Sequence, residues 1–417
     1  MFSLLNIRIG FFLAYRQIRR ASLWTTSLIV FVMVLTFLNL VVVSGILVGL
    51  IQGSVEAYHD QYTSDVVVST LQDKKYIENS PGIISIIESI PEVNMFTARY
   101  RTGATLEANY KTRKQTDNPN STAAQIVGID PVAEDRITHL SEKVIEGSYL
   151  LPSDYNQVLV GSYLIKRFVP VDNPGFSALN DVFPGTKIRL SINGVQQEVT
   201  VKGIIKSKVS DVGGSVFMVD SQLRNIIGRN DGNVAEIAIQ TKPGVEPTVI
   251  KEALVRSGVD QYAKVQTFVE GQPKFLKDII NTFAMLGNML SSIGLVVASI
   301  TIFIVIFINA VTRRKFIGIL KGIGINGEVI EISYMFQSTF YALCGSAIGL
   351  FVVYALLVPA FKASPIDFPF SDGILVAPLP ATFLRVGLLI LSTVIAGYIP
   401  ARMIVRKNTL DSILGRN

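Results

Sequence analysis

Histidine, cysteine and charge are the scarce components of this sequence. One cysteine, Cys344, cannot build a disulfide framework. The two histidines, His59 and His139, have no partner at ligand spacing, so a clustered metal site is not expected. Only 17% of the 417 residues are charged, below the roughly 25% of an ordinary soluble domain. No G-x-x-x-x-G-K-[ST] loop occurs, which removes the backbone cradle that such a loop provides for nucleotide phosphates. Acids such as Asp60, Asp65, Glu88 and Asp130 are scattered without a base or metal ligand beside them, which speaks against catalysis.

What is abundant is uninterrupted apolar sequence. A helix crossing roughly 30 Å of hydrocarbon at about 1.5 Å per residue needs about 20 uncharged residues. Ala21 to Val55, Ile279 to Thr312 and Ile332 to Phe361 contain no charged side chain at all. A fourth run, Gly373 to Ala401, is broken only by Arg385, whose alkyl stem can carry its charge to the interface. The first run is too long for the apolar region of a signal peptide and no clear A-x-A site follows it, so it is expected to stay in the protein.

Orientation follows from the basic residues near the span ends. Arg8, Arg16, Arg19 and Arg20 precede span one, Arg313, Arg314, Lys315 and Lys321 fill the loop between spans two and three, and Arg402, Arg406, Lys407 and Arg416 follow span four. All three segments belong in the cytoplasm, and an even span count independently puts both termini on one side. The net charge of +6 is therefore mostly topology, and nucleic acid is not an expected partner.

Between spans one and two lies a polar block of normal globular composition that must face outward, large enough for its own core and for two lobes. Asp65 to Thr70 reads as a strand, Gly82 to Ile90 as a helix, and Val93 to Tyr110 as extended segments with a turn near Thr102-Gly103. Lys187 to Lys206 alternates apolar and polar residues around Asn193-Gly194, the dipeptide suited to a type I′ hairpin turn. Val216 to Val219, Ala235 to Gln240 and Lys264 to Phe268 are further strands, and Gln222 to Ile227 and Pro247 to Ser257 are helices. Lys111 to Thr122 is polar and reads as an exposed loop. The expected fold is membrane α-helical, with four transmembrane helices and a large extracytoplasmic α+β domain inserted between helices 1 and 2.

Small residues recur at four-residue spacing: Gly45, Gly49 and Gly53 in span one, Gly345 and Gly349 in span three. Such a stripe lets another helix approach closely, either within the subunit or across a dimer seam. In the short basic loop, Phe316, Ile319, Leu320 and Ile323 fall at i, i+3, i+4 and i+7, which predicts a helix with an apolar stripe, Arg313, Arg314 and Lys321 outside it, and an end at Asn326-Gly327. A basic amphipathic helix there can anchor to lipid or dock into a groove of a soluble partner.

The loop RRKFIGILKGIGINGEVI, followed by a span with Gly345 and Gly349, resembles the signature loop of the MacB/FtsX superfamily of ABC transporter permeases. The ending AGYIPARMIVRKNTLDSIL, with Pro400 and Arg402, and FFLAYRQIRR before span one are also similar to that superfamily, its lipoprotein-releasing branch above all. The order of one span, a large outer domain and three spans extends the likeness over essentially the whole chain. Phe316 stands where the superfamily usually has Glu, and Gln337 where an acid is common.

The resemblance implies a coupling helix, formed by Arg313, Arg314, Phe316, Ile317, Gly318, Leu320, Lys321, Ile323 and Gly324, seated in a separate cytoplasmic ABC ATPase dimer that binds the ATP and magnesium; this chain itself would bind no cofactor. Its apolar contacts are expected through Ile317, Leu320 and Ile323. The resemblance also implies a second permease chain, identical or homologous, a lipid or lipoprotein substrate, a periplasmic adaptor as a further partner, and a bacterial inner-membrane location. Arg385 is either an interfacial anchor or a polar contact for such a substrate. The implied activity is extraction or export of lipoproteins, lipids or amphiphiles by mechanotransmission; the alternative is a non-transporting transmitter that switches an outer partner such as a cell-wall hydrolase. The segments would then be a cytoplasmic amphipathic stretch 1–22, helix one and stalk 23–52, a MacB-like outer core 53–275, stalk and helix two 276–312, coupling loop 313–331, helix three 332–361, outer loop 362–378, helix four 379–401 and tail 402–417.

Overall fold

A computed structural model describes residues 4–114, 118–169, 177–364, 366–368, 371–373 and 375–406. The chain divides into two compact units. One comprises Met1–Gln52, Asp278–Phe368 and Asp372–Asn417, and the other Gly53–Lys277 with Pro369–Ser371.

The first unit is helical. Among the described residues four helices are long and apolar enough to cross a membrane: Leu23–Thr63, Leu276–Thr312, Gly327–Ala363 and Leu379–Val405. The N-terminal helix Leu4–Arg19 lies along the third of these. Gly10 makes the approach possible, since a Cβ there would sit 2.6 Å from Ile332 Cγ2. Phe11 meets Phe336 edge-on at 5.4 Å, and Gln337 Nε2 donates to Gln17 Oε1. Gln337 is thus buried in an amide pair, and the amide can donate as well as accept, which an ionised carboxylate cannot.

Gly45, Gly345 and Gly349 pack closely within the unit. A Cβ on Gly345 would lie 2.5 Å from Met33 Cβ, and one on Gly349 would overlap the Phe37 ring. Met33 and Phe37 are wholly buried, so the first and third long helices meet backbone to side chain along this line. Gly45 is covered by Leu375 and Val376 of the same chain, and its carbonyl accepts from Val376 N at 3.2 Å. Gly45 thus packs against its own chain. Gly49 is buried and Gly53 half-buried. We expect Gly349→Leu to cost about 1–3 kcal/mol through overpacking, read as a lowered Tm of the full chain in detergent. Gly387→Leu is the control, because nothing lies within 4 Å of a Cβ built there; equal losses in the two variants would refute the seam.

Among its described residues the second unit contains a ten-stranded sheet: β1 Val66–Ser69, β2 Val93–Glu107, β3 Ser121–Ile129, β4 Val144–Gly147, β5 Gln157–Gly161, β6 Lys187–Ile192, β7 Val195–Ile205, β8 Ser215–Val219, β9 Glu236–Thr241 and β10 Lys264–Thr267. They form two lobes. In the first, the order β10-β1-β9-β2 is antiparallel throughout, and helices Ser80–Ser89 and Pro247–Arg256 supply Ile83, Ile87, Ile250 and Leu254 to its core. This is the split βαβ arrangement, with the second lobe inserted between β2 and β9.

In the second lobe, β2 pairs β3, β3 pairs β8, β8 pairs β5, β5 pairs β7, β7 pairs β6, and β6 returns to β2. The pairing closes into a ring around Leu106, Ile126, Val160, Ile188, Val201 and Met218. The β6–β7 hairpin turns on Asn193 at φ 48° and Gly194 at φ 86°, the left-handed pair a type I′ turn requires.

One expectation fails in this unit. Thr102-Gly103 makes no turn: β2 runs unbroken for 15 residues, and Gly103 pairs with Gln125 in mid-ladder. Its first half belongs to one lobe and its second half to the other, so the strand crosses the junction between them.

Candidate functional site

The loop helix spans Arg314–Gly322. It ends in a Schellman motif: Gly324, at φ 92°, donates to Lys321 O at 3.1 Å, and Ile325 N donates to Leu320 O at 3.0 Å. Gly324 is thus the residue that stops the helix. Asn326, expected to be part of that stop, instead starts the next helix, its Oδ1 accepting from Glu328 N at 3.2 Å.

The apolar stripe divides between two faces. Ile317, Gly318 and Leu320 are buried in the core of the helical unit with Ile330, Tyr334, Ile404 and Val405. Phe316, Ile319 and Ile323 are exposed at 46%, 53% and 71%. Lys321 turns inward as well, its Nζ donating to the Val405 carbonyl at 2.9 Å. The expected outward contacts through Ile317 and Leu320 are therefore corrected: those side chains are buried in the core of the helical unit, while Lys321 ties the loop helix to the end of the fourth long helix. Arg313 and Arg314 are half-exposed, and Lys315 is exposed.

Pro400 is buried inside the fourth long helix, four residues before its terminal turn residues Ile404 and Val405 that pack on the loop helix. Arg402 places its guanidinium 5.5 Å from the Tyr398 ring centre. Arg385 is half-buried and donates from Nη2 to Ser44 Oγ of the first long helix. It makes an interhelical hydrogen bond, a role distinct from interfacial anchoring or substrate contact.

A second constellation, in the strand-built unit, was not anticipated. Arg99 sits in β2 where the lobes meet and is 1% exposed. Its Nε and Nη2 grip Glu134 of helix Pro131–Thr138, with Nη2 2.7 Å from Oε1, while Nη1 holds Glu236 Oε1 of β9 at 2.7 Å. Thr97 donates to Glu134 Oε2 at 2.9 Å. Tyr62, in the last turn of the first long helix, donates to Glu236 Oε2 at 2.9 Å and lies with its ring 4.8 Å beneath the Arg99 guanidinium.

Arg101, two residues along β2, donates to Tyr62 and Gln125 and reaches Asp211 Oδ1 at 3.3 Å. Burial opposes the charge on Arg99, but Glu134 and Glu236 outweigh it, so its proton is held more firmly than on a free arginine. Arg101 shifts the same way: burial works against it, and Tyr62, Glu236 and Asp211 prevail. This network ties a helix end, both lobes and their shared strand at one point. Its partners lie far apart in sequence, which is why no local motif revealed it.

Among the described residues no group of three or more histidine, cysteine or acidic side chains is placed to hold a metal. Neither constellation pairs a nucleophile with a base: one is an exposed apolar ridge, the other a set of ion pairs centred on Arg99.

Comparison with known proteins gives the wider setting. Residues 288–409 match the FtsX-like permease C-terminal family. An uncharacterized ABC transporter permease of Methanocaldococcus jannaschii is 27% identical over 222 residues, 52% of this chain and 54% of that protein. The macrolide export ATP-binding/permease protein MacB of Campylobacter fetus is 22% identical over 224 residues, 52% of this chain and 34% of that protein. The matched stretch thus spans about half the length of the first relative and about a third of the second. Among solved structures, the periplasmic region of MacB from Actinobacillus actinomycetemcomitans aligns at 14% identity and a TM-score of 0.37, covering 51% of this chain and 92% of that one. The extracellular domain of the transporter YknZ from Gram-positive bacteria aligns at 14% and 0.34, covering 49% and 98%. Residues 288–409 are thus a helical segment of FtsX-like permease type, and the sequence relatives of this membrane protein include ABC transporter permeases and MacB proteins, to which it is similar over about half its length.

Proposed function

We propose that this chain is the membrane subunit of an ATP-driven exporter of amphiphiles, powered by a separate ATPase that seats on the loop helix. The observation that carries the proposal is the division of that helix into an inner face, Ile317 and Leu320, and an exposed apolar ridge, Phe316, Ile319 and Ile323. A helix that only anchored its loop to lipid would gain little from a back so firmly fixed to two spans; a helix that receives force gains a rigid transmission path. In this reading the loop and both termini are cytoplasmic, which the flanking arginines and lysines favour, and the protein lies in a bacterial inner membrane.

The unit Gly53–Lys277 is then the outer domain, inserted between the first two long helices. The first long helix has 41 residues, about twice what the hydrocarbon needs, and its last turns carry Tyr58 and Tyr62. Movement of that helix would reach the lobes through the Arg99 network, with no solute path through the spans. A macrolide and an acylated protein share an apolar body with a polar end, and that amphiphilic class is the substrate we assign; a second permease copy and a periplasmic adaptor complete the proposed assembly.

The test is reconstitution of the full chain with the ATPase that copurifies in mild detergent. ATP-dependent release of a labelled lipoprotein or lipid from proteoliposomes is the expected result. Activation of a cell-wall hydrolase without any release would replace export by signal transmission.

A further inference from the structure

Beside the Arg99 network, the strand-built unit has an open cleft of about 890 Å³ between its two lobes. That is within the range of about 300–1,000 Å³ typical of small-ligand sites. Its walls come from both lobes and from the end of the first long helix. Tyr58, Tyr62 and Tyr163 provide aromatic surface, and Val67, Leu164 and Pro273 aliphatic surface. The Tyr58 and Tyr62 rings stand 5.2 Å apart with their planes tilted by 59°.

The charged residues lining the cleft are Arg101, Asp211 and Glu236, two carboxylates against one guanidinium; Lys208, the nearest lysine before Asp211 in sequence, is not among the lining residues. The carboxylates differ in access. Glu236 is 10% exposed and occupied by Arg99 and Tyr62, whereas the Asp211 side chain is 31% exposed. Among the described residues Asp211 accepts long hydrogen bonds from Tyr58 OH at 3.2 Å and Arg101 Nη2 at 3.3 Å, and an ionised carboxylate has about four acceptor positions. An ammonium group could occupy remaining ones.

We infer that this cleft is a binding site for a small cationic amphiphile, a molecule with one protonated amine on an apolar body, with Asp211 as the counter-ion and the tyrosines as the apolar seat. Apolar walls alone would accept any greasy body. The unbalanced carboxylate gives the cleft its preference among charges. Its meaning as a substrate-capture site rests on the export reading, but binding needs no ATPase, so copurification bears only on that reading and the following titration only on the cleft.

Full-length protein in phosphatidylcholine nanodiscs is titrated with three dansyl probes of similar size, dansylcadaverine (cationic), N-pentyl dansylamide (neutral) and dansyl-6-aminohexanoate (anionic), with empty nanodiscs subtracted. The cationic probe is expected to bind at least tenfold more tightly than the anionic one. Asp211→Asn should weaken the cationic probe tenfold or more while changing the neutral one less than twofold, and Asp211→Lys should reverse the order of charge preference. Ala123→Trp, at an exposed strand position lining the cleft, should abolish binding of all three with an unchanged Tm, which keeps the test valid if an Asp211 variant misfolds. Equal binding of the cationic and anionic probes, a cationic affinity unaltered by Asp211→Asn, or undiminished binding in Ala123→Trp would each overturn the inference.

Discussion

Arg99→Met lowers the Tm of the full-length protein in detergent by about 6–20 °C. The expectation follows from what the substitution leaves behind: Glu134 and Glu236, both nearly inaccessible, stripped of the cation they share. Removing one partner of a buried ion pair costs about 3–5 kcal/mol, and each kcal/mol shifts Tm by about 2–4 °C in a domain of about 150–250 residues. The penalty comes mainly from the orphaned carboxylates, so it is reversible by design. Adding Glu134→Leu and Glu236→Leu to Arg99→Met should recover most of the lost Tm, because no buried charge then lacks a partner. A shift under 2 °C for the single variant would show that water reaches the site and that the junction is not closed.

The second large effect separates the faces of the loop helix. Ile319→Asp puts a carboxylate on the exposed ridge, where it costs the isolated chain little, so Tm stays within about 1 °C. In a partner's groove the same carboxylate is desolvated without a counter-charge, and copurification of the ATPase should fall tenfold or more, the equivalent of about 1.4 kcal/mol. Phe316→Asp should behave alike. Leu320→Asp does the opposite: it buries a charge among Ile317, Ile404 and Val405 and should destabilise the chain by about 2–5 kcal/mol. Its effect on the ATPase would then report damage to the fold. An Ile319→Asp protein that retained its ATPase at full yield and activity would falsify the docking assignment.

These contrasts show which parts of the architecture could be read from residues alone. Apolar runs longer than about 20 residues with at most one charge have few folded alternatives, and the four long helices follow the four runs. Asn193-Gly194 disclosed its hairpin because only a few residue types tolerate two successive left-handed backbones. Thr102-Gly103 misled because glycine tolerates a turn without demanding one; β3 on one side and β6 on the other hold that stretch extended.

The loop helix was legible as amphipathic but not in its allocation. Periodicity within nine residues locates an apolar arc, and it does not say which part of the arc the chain keeps for itself. The Arg99 network left no sequence trace, since Glu134 and Glu236 lie 35 and 137 residues from it. Only the folding of two lobes around one strand brings the three together.

The closed pairing of the second lobe has a bearing on how the unit tolerates neighbours. A sheet closed on itself offers no ladder of unpaired amides to a passing strand, so that lobe resists edge-to-edge aggregation without needing charged or proline gatekeepers. The strand order nevertheless has two ends, β10 and β4. An extended peptide seeking to add itself to this unit would have to do so at Lys264–Thr267 or Val144–Gly147, segments of 4 residues each, too short to template more than a few hydrogen bonds.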